Sequence, residues 1–390
     1  MKVAARSQVP PFAVMEIIAA ANARRALGQD VLNLAAGEPA AGASRVVRQS
    51  AIDLLRAGGL GYTEASGTPA LREAIAAHYA DWYDTTVDPG NVAVTTGSSG
   101  GFVLAFLAGF DPGDRVALAH PGYPAYRNIL SALGCEVVGL ACGPQTRFQP
   151  TVEILAAAHS EQPLDGLVVA SPANPTGTMI DAAELAAIAD WCAAHEVRLI
   201  SDEIYHGITY TDAQVPTAAR FLDSGTIVVN SFSKYWAMTG WRLGWLVLPD
   251  DLVAPVDALA GNLALCPPAL AQHAAIAALG AEGMAAAREN VAHYAAARAH
   301  LLERLPELGW GRVAPADGAF YLYGDISALG LDSPTWCARL LDEAGVALTP
   351  GTDFDPVDGR DYVRLSFASP VEVIREAVDR IVAWQRGLAT

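Results

Sequence analysis

The chain has 390 residues, 52% of them apolar, and a formal net charge of −17. This length predicts two domains with large cores. The charge argues against nucleic acid or an anionic membrane as partner, because a phosphate-rich surface would repel it.

The five cysteines (Cys135, Cys142, Cys192, Cys266 and Cys337) make no CxxC pair and have no metal-ligand spacing, which fits a reducing, cytoplasmic setting and no bound metal. Pro10 and Pro11 stand where a signal peptide would carry its apolar run, and no apolar run is long enough to span a bilayer.

In chain order, a helix is expected at about residues 14–27. Apolar, β-rich runs then alternate with helix-period segments. Strands are expected at 92–95, 115–119, 136–140, 166–170, 198–201, 226–230 and 243–248. Helical segments are expected between most of them, such as 69–82, 124–133 and 181–195, the last with Asp181 as its N-cap. This alternation predicts an α/β fold with a mostly parallel sheet and helices on both faces. Ligands in such sheets sit at the C-terminal ends of the strands. After about residue 265 the pattern changes. Helices are expected over 268–305, short strands near 319–324, 346–349 and 362–367, and a last helix from 370 to about 386. These read as a smaller α+β domain on which the N-terminal helix packs. The expected division is an arm and part of the small domain at 1–44, a large domain at 45–275 and a C-terminal small domain at 276–390.

The use of basic residues is uneven. There are 23 arginines but only two lysines, Lys2 and Lys234, so Lys234 is the one internal primary amine. An amine can form a Schiff base and a guanidinium does not do so in its place.

Four short segments follow expected strands. Ser231-Phe232-Ser233-Lys234, with Arg242 eight residues on, offers hydroxyls, an amine and a guanidinium together; alone it reads equally as a polar loop. Thr95-Thr96-Gly97-Ser98-Ser99-Gly100-Gly101 opens a helix whose N–H groups favour an anion, and it matches neither a Walker A loop nor GxGxxG. Ser171-Pro172-Ala173-Asn174-Pro175-Thr176-Gly177 is a stiff turn that could aim the Asn174 amide, as many purely structural turns do. Asp202-Glu203-Ile204-Tyr205 offers a carboxylate at a strand end, or merely a cap.

Taken together, in their order along the chain, the segments resemble the fold-type I pyridoxal-phosphate (PLP) enzymes, specifically the class I/II aminotransferases of the aspartate aminotransferase superfamily. The resemblance runs from Asn33-Leu34-Ala35-Ala36-Gly37-Glu38-Pro39 to Arg364-Leu365-Ser366-Phe367. It implies a mostly parallel seven-stranded sheet, a PLP cofactor and a homodimer with shared active sites. It implies that Lys234 is the Schiff-base lysine and proton carrier, that Asp202 partners the pyridinium nitrogen, and that Tyr205 and Asn174 donate to the ring hydroxyl oxygen. Tyr123 matches the aromatic stacked on the ring. Ser98, Ser99, Ser231, Ser233 and Arg242 match phosphate ligands, and Tyr62 one that reaches in from the other subunit. Arg364 matches the clamp on the substrate carboxylate, with Gly37 and Asn174 beside it.

Substrate choice is less plainly written. Aspartate-specific relatives often carry a Lys aligned with Ser99 and a Ser or Thr where this chain has Phe12 and Val14. Both departures favour a neutral aliphatic amino acid, alanine or valine, with pyruvate or 2-oxoglutarate. An apolar pocket separates similar side chains by only about 1–3 kcal/mol per methylene. Arg24 or Arg127 could still contact a distal carboxylate, which keeps an aspartate aminotransferase open, and a PLP lyase or synthase would use the same core residues.

Overall fold

The computed structural model describes residues 1–211 and 215–388. Its central sheet has seven strands in the order β2-β8-β7-β6-β5-β3-β4. They are β2 (Val92–Thr95), β3 (Arg115–His120), β4 (Glu136–Ala141), β5 (Gly166–Ala170), β6 (Arg198–Asp202), β7 (Ile227–Ser231) and β8 (Gly244–Val247). All neighbours pair in parallel except β8, which runs antiparallel to both β2 and β7. The strands are short and rich in Val, Leu and Ile because both faces are covered. Leu167, Leu199, Val228 and Val247 pack in one apolar layer, while Val168, Ile200, Val229 and Leu246 pack in another with Phe102 and Phe106.

The expected strand positions hold to within a residue or two. The helix at Ala182–Ala194 starts at a capping box: Asp181 accepts from Ala183 N and Glu184 N, and Glu184 accepts from Asp181 N. Several further helices were given no range in the sequence reading, among them Arg45–Ala57, Val152–Glu161, Asp250–Ala264 and Ser333–Ala344.

The C-terminal portion forms a three-stranded antiparallel sheet, β11 (Thr349–Pro350), β12 (Tyr362–Ser366) and β9 (Tyr321–Asp325). The strand expected at 346–349 is two short pieces. β10 (Val346–Ala347) pairs with β1 (Leu32–Asn33), and the chain then steps across Leu348 so that β11 pairs with β12. The N-terminal helix α1 (Ala13–Ala26) packs on this portion, with Ala21 against Val31, Leu341 and Ala347. One continuous apolar cluster runs from Leu34 through the large sheet to Val382. The five cysteines are free. Among the described residues no helix is long and apolar enough to cross a membrane.

Candidate active site

The parallel strands bring their C-terminal ends to one edge of the sheet, and a cavity of about 310 Å³ opens there. Lys234, Asp202, Tyr205, Asn174, Tyr123, Ser98, Ser99, Ser233 and Arg242 line it from the large sheet's side. Arg364 and Tyr321 enter from the three-stranded sheet, Gly37 and Glu38 from the segment after β1, and Val14, Met15 and Ile18 from α1.

One end of the cavity is built for an anion. The helix Gly97–Gly109 starts directly after β2, so its free N–H groups face the strand ends. Gly97 has φ +69°, and a Cβ there would lie 2.5 Å from Arg242 Nη2. Only glycine lets the guanidinium approach the helix start this closely.

At the other end Arg364 is 3% exposed. Its Nη1 donates to Asn174 Oδ1 (2.9 Å), and its Nη2 donates to the Ala35 carbonyl (2.5 Å) and Thr349 Oγ1 (3.2 Å). The guanidinium lies between the rings of Tyr321 and Phe354, at 4.5 and 4.6 Å from their centroids. All its hydrogen bonds go to neutral acceptors, and its Nε has no partner. A buried cation held this way can take a carboxylate.

Between the two ends, Lys234 Nζ donates to the Gly37 carbonyl at 2.6 Å. Burial, and then the nearby Arg364 and Arg242, lower the Lys234 pKa to about 8, with Glu38 opposing the shift. Asp202 stands at the end of β6, 3% exposed. It accepts from Tyr126 OH at one oxygen and from Ile204 N (3.1 Å) at the other. Burial nevertheless raises its pKa to about 6. Its neighbour Glu203 points to the opposite side of the sheet, as successive strand residues do. There it accepts from Thr217 Oγ1 (2.8 Å) and Ala218 N (2.7 Å), so only Asp202 faces the cavity. Tyr205 OH and Tyr321 OH lie 2.6 Å apart, and burial holds the Tyr205 phenol well above its ordinary pKa.

The family model for aminotransferase class I and II matches residues 29–381. A valine–pyruvate aminotransferase from Mycobacterium tuberculosis is 55% identical over 383 residues, covering 98% of each chain. This chain belongs to the class I and II aminotransferase family. It is an enzyme that transfers nitrogenous groups. A solved aminotransferase from Mycobacterium tuberculosis superposes with a TM-score of 0.96 at 54% identity, over 99% of this chain and 100% of the other. An aspartate aminotransferase from Pyrococcus horikoshii is 32% identical over 358 residues, 90% of each chain.

For this aminotransferase, eleven of the thirteen residues singled out from sequence line the one cavity. Ser231 and Tyr62 do not. Ser231 is fully buried behind the lysine loop, with its Oγ 2.9 Å from Ser233 Oγ and 3.1 Å from the Leu243 carbonyl. Its Oγ also accepts from Ser233 N (3.0 Å), which orders the turn that carries Lys234. Tyr62 is 85% exposed on the outer surface.

Sequence reasoning missed Tyr126, Tyr321, Glu38 and Thr239. Tyr126 had a usable signal, since it lies in the first turn of an expected helix, three residues after Tyr123. Tyr321 had none: it faces the cavity because Gly37 has no side chain, and a Cβ there would lie 2.0 Å from Tyr321 OH. Thr239 Oγ1 donates to Glu38 Oε1 (2.6 Å) at the cavity mouth.

Proposed function

We propose that this enzyme uses PLP to move an amino group between a neutral aliphatic L-amino acid, valine or alanine, and pyruvate or 2-oxoglutarate. The residues fit this cofactor. Asp202 is a buried carboxylate whose hydrogen bonds come from the neutral donors Tyr126 OH and Ile204 N, so a protonated ring nitrogen would supply it a counter-charge, and the Gly97–Arg242 cradle suits a phosphate. When bound, PLP supplies an electron-withdrawing ring that stabilises charge at the substrate α-carbon.

The chain's own residues do the rest. Ser98, Ser99, Ser233 and Arg242 hold the phosphate. Tyr123 covers a ring face, and Asn174 and Tyr205 hydrogen-bond the ring oxygen. Arg364 takes the substrate carboxylate, with Asn174 and Gly37 beside it, and so orients the Cα–H bond. Lys234 anchors the cofactor and moves the proton at the substrate α-carbon; an amine with a pKa near 8 suits both removing and returning it.

The observation that carries the substrate reading is the fate of the spare arginines. Arg24 pairs with Asp342 (2.8 Å), and Arg127 donates to the Asp353 carbonyl (2.7 Å). Neither lines the cavity, and α1 presents Val14, Met15 and Ile18 in their place. The Mycobacterium tuberculosis relative, a valine–pyruvate aminotransferase, agrees with this reading. A half-reaction screen over single amino acids tests it. Valine and alanine should each yield one equivalent of keto acid and the pyridoxamine form, with aspartate about a hundredfold slower. Faster turnover of aspartate, or release of ammonia, would overturn the assignment.

The Lys234 pKa gives a prediction with a definite sign. Only the neutral amine attacks an aldehyde, so capture of PLP by the cofactor-free chain should rise about tenfold per pH unit below about 8 and level off above it. Stopped-flow absorbance from pH 6 to 10 reads this, and a midpoint near the usual lysine value would contradict it.

A cytoplasmic homodimer with shared sites completes the proposal. Tyr62 is exposed near other uncovered apolar side chains, Leu60 and Leu55 among them, which supports a partner subunit covering this face. Tyr62→Phe should weaken PLP retention by roughly tenfold, the worth of one hydrogen bond to a charged oxygen. Mixing Tyr62→Phe with Arg242→Ala subunits should restore some intact sites if Tyr62 acts across the interface, and none if it acts within its own chain.

A further inference from the structure

We propose that Asp353 is a positioning residue for substrate side-chain selection, holding the first turn of α1 against the cavity. The proposal rests on reading the cavity as the amino-acid site. α1 starts without a cap of its own: Phe12 precedes it in extended conformation and supplies no side-chain acceptor. The first N–H groups of a helix require acceptors. Here they come from far along the chain. Asp353 Oδ1 accepts from Ala13 N (3.2 Å) and Oδ2 from Val14 N (3.4 Å). The carboxylate also faces the positive end of the helix. Asp353 is itself buried, and Arg127 donates to its carbonyl, which fixes its position.

The turn held in this way carries Val14, Met15 and Ile18, the apolar wall of the cavity. The far half of α1 has other anchors. Ala21 is buried among Val31, Leu341 and Ala347, Arg24 pairs with Asp342, and Arg25 donates to the Val31 carbonyl at 2.8 and 3.1 Å. Asp353 therefore acts on the near half. The next residue, Phe354, stacks on Arg364. Two successive residues thus keep the wall and the carboxylate-binding cation in one frame. Shifting the wall alone disturbs side chains long enough to touch it and spares a single methyl group.

The test uses the full-length, cofactor-loaded enzyme with Asp353→Ala and Asp353→Asn. Hydrogen exchange should quicken about five- to tenfold at residues 13–18 in Asp353→Ala, with residues 20–26 unchanged and Asp353→Asn in between. The KM for valine and leucine should rise about three- to tenfold, that for alanine less than about twofold, and kcat should hold. Unchanged exchange in the first turn would overturn the proposal, as would an equal loss on all three amino acids. If the parent enzyme turns over none of the three, the substrate reading fails on its own, and the exchange measurement alone decides whether Asp353 holds the turn.

Discussion

Lys234→Ala is expected to lower the amino-transfer half-reaction by at least about 10⁴-fold while leaving PLP bound without a covalent link. The size of the effect follows from the absence of a substitute. The only other lysine is Lys2, near the chain's start, and the cavity's two other cations are arginines, whose guanidinium groups stay protonated and cannot carry the proton. The phosphate cradle and Asp202 do not depend on the amine, so the cofactor should stay. Borohydride reduction followed by mass spectrometry should show the cofactor's mass on residue 234 in the parent and on no residue in the variant. Single-turnover absorbance measures the loss of rate. A variant that keeps near-parental rates would remove Lys234 from the mechanism.

The second large effect is expected at Arg364. Arg364→Ala should raise the amino-acid KM by about 10²–10³-fold, matching the several kcal/mol lost when one member of a buried, hydrogen-bonded charge pair is removed. The site is shaped for a guanidinium in particular. Two rings clamp its faces, and its two terminal nitrogens are spread over Asn174, Ala35 and Thr349. Arg364→Lys should rescue little, because a point charge cannot fill a planar slot. Steady-state kinetics with valine gives both numbers, and an unchanged KM would refute the clamp.

The sheet was legible in the sequence because each of its strands is a short, apolar, β-rich run. The helix Asp250–Ala264 was not, since Pro255 and Gly261 within it read as breakers. The pieces at 346–349 merged because a run of apolar residues does not show where pairing changes partner. At the site, Lys234 stood out through composition and Asp202 through its place at a strand end. The wall made by α1 was not legible as a held structure. Its capping acceptor is Asp353, and no local pattern reports a contact across 340 residues. The Tyr126–Asp202 bond was hidden in the same way, since it joins two elements 76 residues apart.

The antiparallel strand β8 has a consequence for how the enzyme comes into being. Gly244 stands opposite both Thr95 and Ser231, so β8 is the splint between the strand that leads to the anion cradle and the strand that leads to the lysine. A growing chain emerging from the ribosome has made both strands before it has made the piece that joins them. Pairing strands so far apart in the sequence is slow. The site is thus a late product of synthesis: until residue 247 has been made, nothing joins the strand before the anion cradle to the strand before the lysine.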